Sequence, residues 1–320
     1  MRILFAGSPE IALPSLKALA ARHDIAGVFT SPDGLKGRGK AARPQPSPVA
    51  LEAERAGLRV FKPPRLDADA RQTAASLGAD ILVSVAYGRI FGPRFLALFP
   101  LGGINLHPSL LPAYRGPSPI NACLLRGDRI TGVTVIRVAA EVDGGDILLQ
   151  SAYPLEGGET APGLGEALGR LGAEILVQAV AGLAAGRLKG RPQDSRQASY
   201  CGALKKTDGF IRWDRPAREI ERAFRAYLPW PGIYTRWGER RLNILKPAVY
   251  TEESPRPAGE GTSPPGTVLA LDRTAGFLVS TGEGILAIQE LQLESKKAGN
   301  FKAFANGNPD FTGSLLGGTP

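Results

Sequence analysis

Asn105 and His107 are the residues of this 320-residue sequence whose types and spacing best suit chemistry. They end a short apolar run, and period-two alternation places both side chains on one face of a strand. An imidazole titrates near neutral pH and can carry protons, and an amide donates hydrogen bonds. Further along the chain, Asp143 stands beside Gly144 and Gly145, where glycines let the backbone approach a ligand. Substrates of open α/β sheets bind at the carboxyl ends of strands, where we expect His107 to lie.

Several other kinds of chemistry are disfavoured by the same sequence. The two histidines and two cysteines stand in no recurrent spacing, so we expect no metal site, and His23 is interpreted as the end of a surface helix. Cys123 and Ser109 are near His107 in sequence, but neither has the base and orienting group of covalent catalysis. Gly7 begins no GxGxxG fingerprint, which disfavours a NAD-linked oxidoreductase.

The residues around His107 resemble a signature of the folate-dependent formyltransferases. Segment 105–116 reads Asn-Leu-His-Pro-Ser-Leu-Leu-Pro-Ala-Tyr-Arg-Gly, and a DxGD segment begins at Asp143. The resemblance implies 10-formyltetrahydrofolate as co-substrate, no metal, and Asn105, His107 and Asp143 as catalytic residues. It also implies folate contacts from two segments, Tyr87, Gly88, Arg89 and Ile90 in one and Ser109, Leu110, Leu111 and Pro112 in the other.

Transfer of a formyl group between nitrogens explains why such residue types are needed. The reaction passes through a tetrahedral oxyanion, so the site needs hydrogen-bond donors and a route for protons from the attacking amine to the leaving nitrogen. The resemblance implies that Asn105 is an amide donor and that protonated His107 donates to the oxyanion. Asp143 would favour the imidazolium and accept a proton, directly or through water.

The elements that must position these residues follow an α/β pattern in the first half of the chain. Short apolar runs at 2–6, 25–30, 59–61, 81–86 and 103–107 alternate with helical patterns at 10–22, 48–57, 69–77, 93–99 and 118–126. This alternation predicts a Rossmann-like, doubly wound, mostly parallel sheet. Runs at 132–138 and 147–150 are expected to form a hairpin-like excursion or two edge strands, and a pattern at 163–183 predicts a closing helix.

The second half of the chain has a different pattern of predicted helices and strands. A basic helix is predicted at 217–227, followed by short strands near 232–236, 242–245, 266–271, 276–280 and 285–293, and a surface loop at 251–265. Short strands separated by Gly and Pro predict a small barrel, and segment 225–232 resembles the OB-like C-terminal domain of the formyltransferases. We therefore expect a catalytic domain at 1–188, a linker at 189–204 and an OB-like domain at 205–320.

Charge indicates what the acceptor of the formyl group could be. The chain carries a formal charge of +9, with a basic belt at 205–246. Basic clusters suit a solvated surface and nucleic-acid phosphates about equally well. The resemblance extends to the branch of the family that acts on a charged tRNA, which implies methionyl initiator tRNA as partner. The expected tRNA-binding residues are Lys36, Arg38, Lys40 and Arg43 in a glycine-rich loop, with Lys205 and Lys206 after the linker.

Other interpretations stay open at this point. A formyltransferase acting on a soluble amine, such as a nucleotide-linked amino sugar, would share the chemistry, whereas an RNA-binding protein that has lost activity would share only the tRNA contacts. We find no signal peptide, transit segment or run of about eighteen continuous apolar residues, as a membrane helix needs, so a cytoplasmic protein with free thiols is expected. We also expect a monomer.

Overall fold

The computed structural model describes residues 1–36, 43–250 and 261–319 of the chain. The chain divides into two units, each with its own core. The first contains Met1–Ile120, Asp128–Gly158 and Gly163–Ala203, and the second contains Asn121–Gly127, Glu159–Pro162 and Leu204–Pro320. The predicted linker therefore groups almost entirely with the first unit.

The first unit is built on a seven-stranded sheet. Its strands are β1 (Arg2–Gly7), β2 (Asp24–Phe29), β5 (Val60–Phe61), β6 (Ile81–Val85), β7 (Gly103–His107), β8 (Ile130–Arg137) and β9 (Ile147–Pro154), in the order β5-β2-β1-β6-β7-β8-β9. A separate two-stranded ribbon pairs β3 (Gly34–Lys36) with β4 (Arg43–Gln45). The helices up to residue 184 are α1 (Leu13–Ala20), α2 (Pro48–Arg55), α3 (Ala68–Ser76), α4 (Pro93–Leu96), α5 (Pro119–Arg126) and α6 (Ala161–Ala184).

Burial of the central strands explains their near-continuous apolar sequence. Every residue of β6, and every residue of β1 after Arg2, is buried, as expected for parallel strands covered on both faces. The first five strands of this order pair in parallel, and β8 and β9 continue the sheet in antiparallel fashion. The predicted mostly parallel, doubly wound sheet is thus confirmed, and the two later runs form its antiparallel edge.

The long helix α6 contains glycines at positions where it packs closely on its unit. A Cβ atom on Gly172 would stand 2.4 Å from Cδ2 of the buried Leu106, and one on Gly169 would stand 3.0 Å from the carbonyl oxygen of Ile11. By length and composition alone α6 could cross a membrane, unlike any other helix among the described residues. Half of its most apolar window is buried inside the protein, as in the core helix of a soluble domain.

The second unit is an antiparallel barrel with flanking helices. Its strands are β10 (Ile233–Trp237), β11 (Arg240–Val249), β12 (Val268–Asp272), β13 (Gly276–Ser280), β14 (Ile285–Leu293) and β15 (Gly299–Asn300), and its helices are α7 (Ala217–Ala226) and α8 (Phe301–Gly307). The order is β10-β11-β14-β13-β12, with β15 beside β14.

The C-terminal end of the chain joins the two edges of this second sheet. Leu316 bridges Trp237 of β10, and Leu315 bridges Thr267 next to β12. The predicted barrel is confirmed, with α8 as an element that the sequence pattern missed. Most of the loop predicted at 251–265 lies outside the described residues.

We predict that Gly172→Ala lowers the free energy of unfolding by about 1–3 kcal/mol, because the methyl group must displace the buried Leu106 side chain. Helix propensity alone predicts the opposite, that replacing a helical glycine by alanine raises the free energy of unfolding. Gly165→Ala is the matched control in the same helix, since its Cβ would meet only Ile120 Cδ1 at 3.7 Å. It should raise stability by about 0.5–1 kcal/mol. Urea unfolding of both variants checks this, and equal effects of the two substitutions would contradict the close packing.

Candidate active site

A cavity of about 590 Å³ opens where β1, β6 and β7 end, which is the carboxyl edge of the parallel sheet. Its volume falls in the usual range for a small-molecule site. Pro9 follows β1, Ser84 belongs to β6, and Asn105 and His107 end β7. The remaining wall is largely apolar and includes three charged residues, Arg89, Glu141 and Asp143. Its other residues are Ala86, Tyr87, Gly88, Ile90, Phe91, Leu106, Pro108, Gly116, Pro117, Pro119, Ile136, Val138, Ala139, Ala140 and Val142.

The first predicted folate segment lines this cavity throughout. Tyr87 stacks on Phe91 with ring centroids 5.5 Å apart, and its hydroxyl is buried without a hydrogen-bond partner among the described residues. Burial raises the pKa of Tyr87 to about 12. Ile90 is 72% exposed, and with the exposed Val142 it gives the cavity an apolar rim. An apolar wall with a few polar groups fits a flat aromatic ligand of folate size.

The second predicted folate segment lies behind the wall of the cavity. Ser109 and Leu111 are buried, and the Ser109 hydroxyl donates to the Ala113 carbonyl oxygen at 2.6 Å. Thr134 donates from its hydroxyl to the Ser109 carbonyl oxygen at 2.6 Å. None of Ser109, Leu110, Leu111 and Pro112 lines the cavity. Their contacts support the chain after His107, and their assignment to folate stays a prediction.

His107 is held by a hydrogen bond that fixes its tautomer. Its Nε2 atom lies 2.9 Å from the carbonyl oxygen of Tyr114, and because a carbonyl only accepts, Nε2 must carry the proton. The other ring nitrogen, Nδ1, lies 3.5 Å from Oδ2 of Asp143. Burial lowers the pKa of His107 below its ordinary value, and the Asp143 charge and the Tyr114 carbonyl oppose that shift. In the free protein, Nδ1 is therefore an unprotonated nitrogen that faces a carboxylate.

Asp143 is fixed on the loop between β8 and β9. Its Oδ2 atom accepts a hydrogen bond from the backbone amide of Gly116 at 2.9 Å, and its own backbone is left-handed with φ of 52°. Gly145 must be a glycine, because a Cβ there would stand 1.9 Å from the carbonyl oxygen of Arg137. The glycines that drew attention to this segment therefore let it fold back against β8.

Asn105 completes the arrangement from the same face as His107. Its side chain is half buried, lines the cavity and forms no hydrogen bond within the part of the chain that the structure describes. Both ring nitrogens of His107 already face protein acceptors. Asn105 is therefore the free hydrogen-bond donor of the three predicted catalytic residues.

Together, His107 and Asp143 can take up one proton. With the ring neutral and its proton on Nε2, Nδ1 has no hydrogen to donate to Oδ2 of Asp143. A proton placed on Nδ1 turns the contact into an ion pair between imidazolium and carboxylate, in which the Asp143 charge offsets part of the cost of burying the imidazolium. A pair of this kind accepts a proton from one group and returns it to another. Within the described ranges, no group of three or more His, Cys, Asp and Glu side chains could hold a metal ion.

The predicted tRNA-binding residues are only partly described. Lys36 and Arg43 pair with each other across the β3–β4 ribbon, where the sequence analysis had expected only a loop. Arg38 and Lys40 lie outside the described residues. Lys205 and Lys206 are exposed at the start of the second unit.

The sequence pattern predicted no role for two residues near His107. Tyr114 adopts a left-handed backbone with φ of 61°, which nothing in its residue type signals. Arg115 is 2% exposed and bonds Glu141 at 2.6 Å, so it belongs to the support of the site although it lies within the recognised motif.

Comparison with known proteins matches both units of the chain. Residues 1–180 match the formyl transferase family, and residues 203–309 match the formyl transferase C-terminal domain. The chain is 40% identical to the methionyl-tRNA formyltransferase of Treponema denticola over 317 residues, covering 97% of this chain and 98% of that protein. The chain belongs to the methionyl-tRNA formyltransferase family. A second member, from Chloroflexus aurantiacus, is 42% identical over 299 residues, covering 93% of this chain and 94% of that protein.

Solved structures share the fold at lower identity. HypX from Aquifex aeolicus in complex with tetrahydrofolic acid superposes with a TM-score of 0.65 at 16% identity, over 98% of this chain and 48% of that chain. The chain thus spans about half the length of HypX. WlaRD, a sugar 3N-formyl transferase, gives a TM-score of 0.64 at 18% identity, over 93% of this chain and 99% of that chain. These likenesses confirm the fold of the formyltransferases.

We predict that the pKa of His107 lies below its ordinary value of 6.5 and falls further in Asp143→Asn, because that change removes the charge that opposes burial. The imidazole proton signals of the full-length protein report this in an NMR titration. The chain has only two histidines, so His23→Gln assigns the signals. A rise of the His107 pKa in Asp143→Asn would contradict the electrostatic coupling of the pair.

Proposed function

We propose that the protein transfers the formyl group of 10-formyltetrahydrofolate to the amino group of methionyl initiator tRNA, in translation initiation. The observation that carries the chemistry is the His107–Asp143 pair, which lines a folate-sized cavity beside the free amide of Asn105. Similarity to methionyl-tRNA formyltransferases over both units supports the acceptor.

The chain's own residues account for the proton movements of such a reaction. The methionyl nitrogen attacks the formyl carbon, and the carbonyl oxygen becomes an oxyanion that the Asn105 amide stabilises by donation. The proton that the attacking amine loses goes to Nδ1 of His107, where Asp143 stabilises the imidazolium. It then passes to the leaving folate nitrogen, directly or through water, as the carbon–nitrogen bond breaks. No covalent bond to the protein forms at any stage.

Folate supplies the formyl group, and this cavity offers the means to bind it. The apolar rim of Ile90 and Val142 and the stacked pair of Tyr87 and Phe91 are suited to a flat ring system. Arg89 lies at the same wall, with its guanidinium 6.0 Å from the Tyr87 ring centroid. We therefore assign Tyr87, Gly88, Arg89 and Ile90 to folate binding within this proposal.

A soluble amine is the less favoured acceptor. The sugar formyltransferase WlaRD has the same fold, so the fold alone does not choose between acceptors. The basic belt at 205–246 and the relatives' names both favour tRNA. We propose that Lys36, Arg38, Lys40 and Arg43, with Lys205 and Lys206, contact its phosphates. We further propose that the protein acts as a monomer in the cytoplasm, where charged initiator tRNA is used.

Formyl transfer from 10-formyltetrahydrofolate tests the proposal, with methionyl initiator tRNA and free methionine as competing acceptors. We predict formyl-methionine only on the tRNA. His107→Ala and Asp143→Ala should each lower kcat by about 10²–10⁴-fold, because each removes half of the proton-accepting pair. Losses below about tenfold in both variants would contradict the catalytic assignment.

The same assay separates catalysis from tRNA binding. Arg38→Ala should weaken transfer to tRNA and leave folate affinity unchanged, and transfer by the wild-type protein should weaken steeply with salt as counterions are released. Formylation of a soluble amine at comparable rates, indifferent to Arg38 and to salt, would instead support the alternative acceptor.

A further inference from the structure

The segment that leaves α6 crosses the first unit on the side of the catalytic pair. Arg191 and Ile147 exchange two backbone hydrogen bonds, of 2.8 and 2.9 Å, at the start of β9. Further along, the Ser199 carbonyl oxygen accepts from the amide of Arg115 at 2.8 Å. The Ser199 hydroxyl accepts from the Tyr114 amide at 2.9 Å. We call residues 191–201 the strap, because it contacts both the segment that follows His107 and the β8–β9 region that carries Asp143.

Gln193 is the residue of the strap whose side chain reaches the Asp143 loop. Its Nε2 atom donates to the carbonyl oxygens of Asp143 and Gly145, both at 2.7 Å. Its Oε1 atom accepts from Nε and Nη2 of Arg115, at 3.1 and 2.9 Å. Only this orientation of the amide works, since carbonyls accept and a guanidinium donates. Both amide protons are used, and Gln193 does not line the cavity, so it is not a substrate contact.

The Asp143 loop needs such support. A left-handed backbone at a residue with a side chain costs on the order of 1–2 kcal/mol, and the neighbouring glycines add chain entropy. Gln193 binds the carbonyl oxygens on both sides of Gly144. Arg115, which is buried, joins Gln193 to Glu141 of the same loop through a contact of 2.6 Å. Gln193 thus holds the loop by its backbone carbonyl groups, and the Asp143 carboxylate is left to face His107.

We propose that Gln193 is a positioning residue for the formyl transfer, which acts by holding Asp143 against Nδ1 of His107. This inference rests on the proposed function and deepens it. The strap, which lies just before the second unit resumes at Leu204, thereby becomes part of the catalytic apparatus and not only a connector.

A double-mutant cycle tests the proposal in the full-length protein. Gln193→Met keeps the length of the side chain but removes all four hydrogen bonds. Because a misplaced catalytic group can cost on the order of 10²-fold, we expect kcat to fall about 10- to 100-fold, with KM for both substrates within about twofold. In the Asp143→Asn background the same substitution should lower kcat by less than about twofold, since the group it positions is already gone.

The matched control is Gln197→Met in the same segment. Gln197 is exposed, and its amide bonds Asp194 at 3.1 Å, away from the catalytic loop. The kcat of the Gln197→Met variant should stay within about twofold of the wild-type value. If Gln193→Met fails to fold, Gln193→Asn replaces it, because an amide shorter by one methylene cannot reach the carbonyls of the loop. An unchanged kcat, a loss that is equal in both backgrounds, or a loss confined to KM would each overturn the proposal.

A second readout does not depend on activity. If Gln193 keeps Asp143 beside His107, then Gln193→Met should lower the pKa of His107 towards its value in Asp143→Asn, and Gln197→Met should leave it unchanged. An unchanged His107 pKa in Gln193→Met would overturn the proposal even if no formyl acceptor were found. Failure of the wild-type protein to formylate charged tRNA, with the His107 pKa responding as expected, would instead overturn only the proposed function.

Discussion

The hydrogen bond from Nε2 of His107 to the carbonyl oxygen of Tyr114 is the interaction on which the rest of the site depends. Without it, the buried imidazole could place its proton on either nitrogen. With it, the neutral ring presents an unprotonated Nδ1 to Asp143. The carbonyl faces the ring because Tyr114 adopts a left-handed backbone, while its hydroxyl donates to Asp128 and its amide donates to Ser199. Several contacts outside the cavity thus set the protonation of one ring.

His107 and Asp143, the proposed catalytic pair, are held by one short segment. The Tyr114 carbonyl oxygen accepts the hydrogen bond of His107 Nε2, and two residues later the Gly116 amide donates to the Asp143 carboxylate. Gly116 has φ of +114°, and a Cβ there would stand 2.2 Å from the carbonyl oxygen of Cys201. A glycine is therefore required, and the close approach brings the strap against the motif. The signature after His107 consequently holds the imidazole and the Asp143 carboxylate in place through its own backbone.

Local sequence patterns predict much of the fold, whereas they predict the candidate site only in part. Buried parallel strands such as β1 and β6 are nearly continuous apolar runs, and period-two alternation places Asn105 and His107 on one face, so both were predictable. Gly172 lowers the helix propensity of α6, and the sequence does not show why a glycine is needed at this position. The reason is tertiary packing, because a larger side chain would collide with Leu106. Tyr114 acts through its backbone carbonyl on a ring seven residues away, and Gln193 acts through its side-chain amide on Asp143, 50 residues away. Neither carries a local signal, so no single-sequence pattern could reveal them.

Burial and the Tyr114 hydrogen bond together favour a neutral His107 in the free protein, with its proton on Nε2 and with Nδ1 open to accept another. The nitrogen-15 chemical shifts of the ring report this directly at neutral pH, and a chain with two histidines makes the assignment simple. We expect the Nε2–H tautomer. A ring protonated on Nδ1 alone, or an imidazolium at neutral pH, would contradict it.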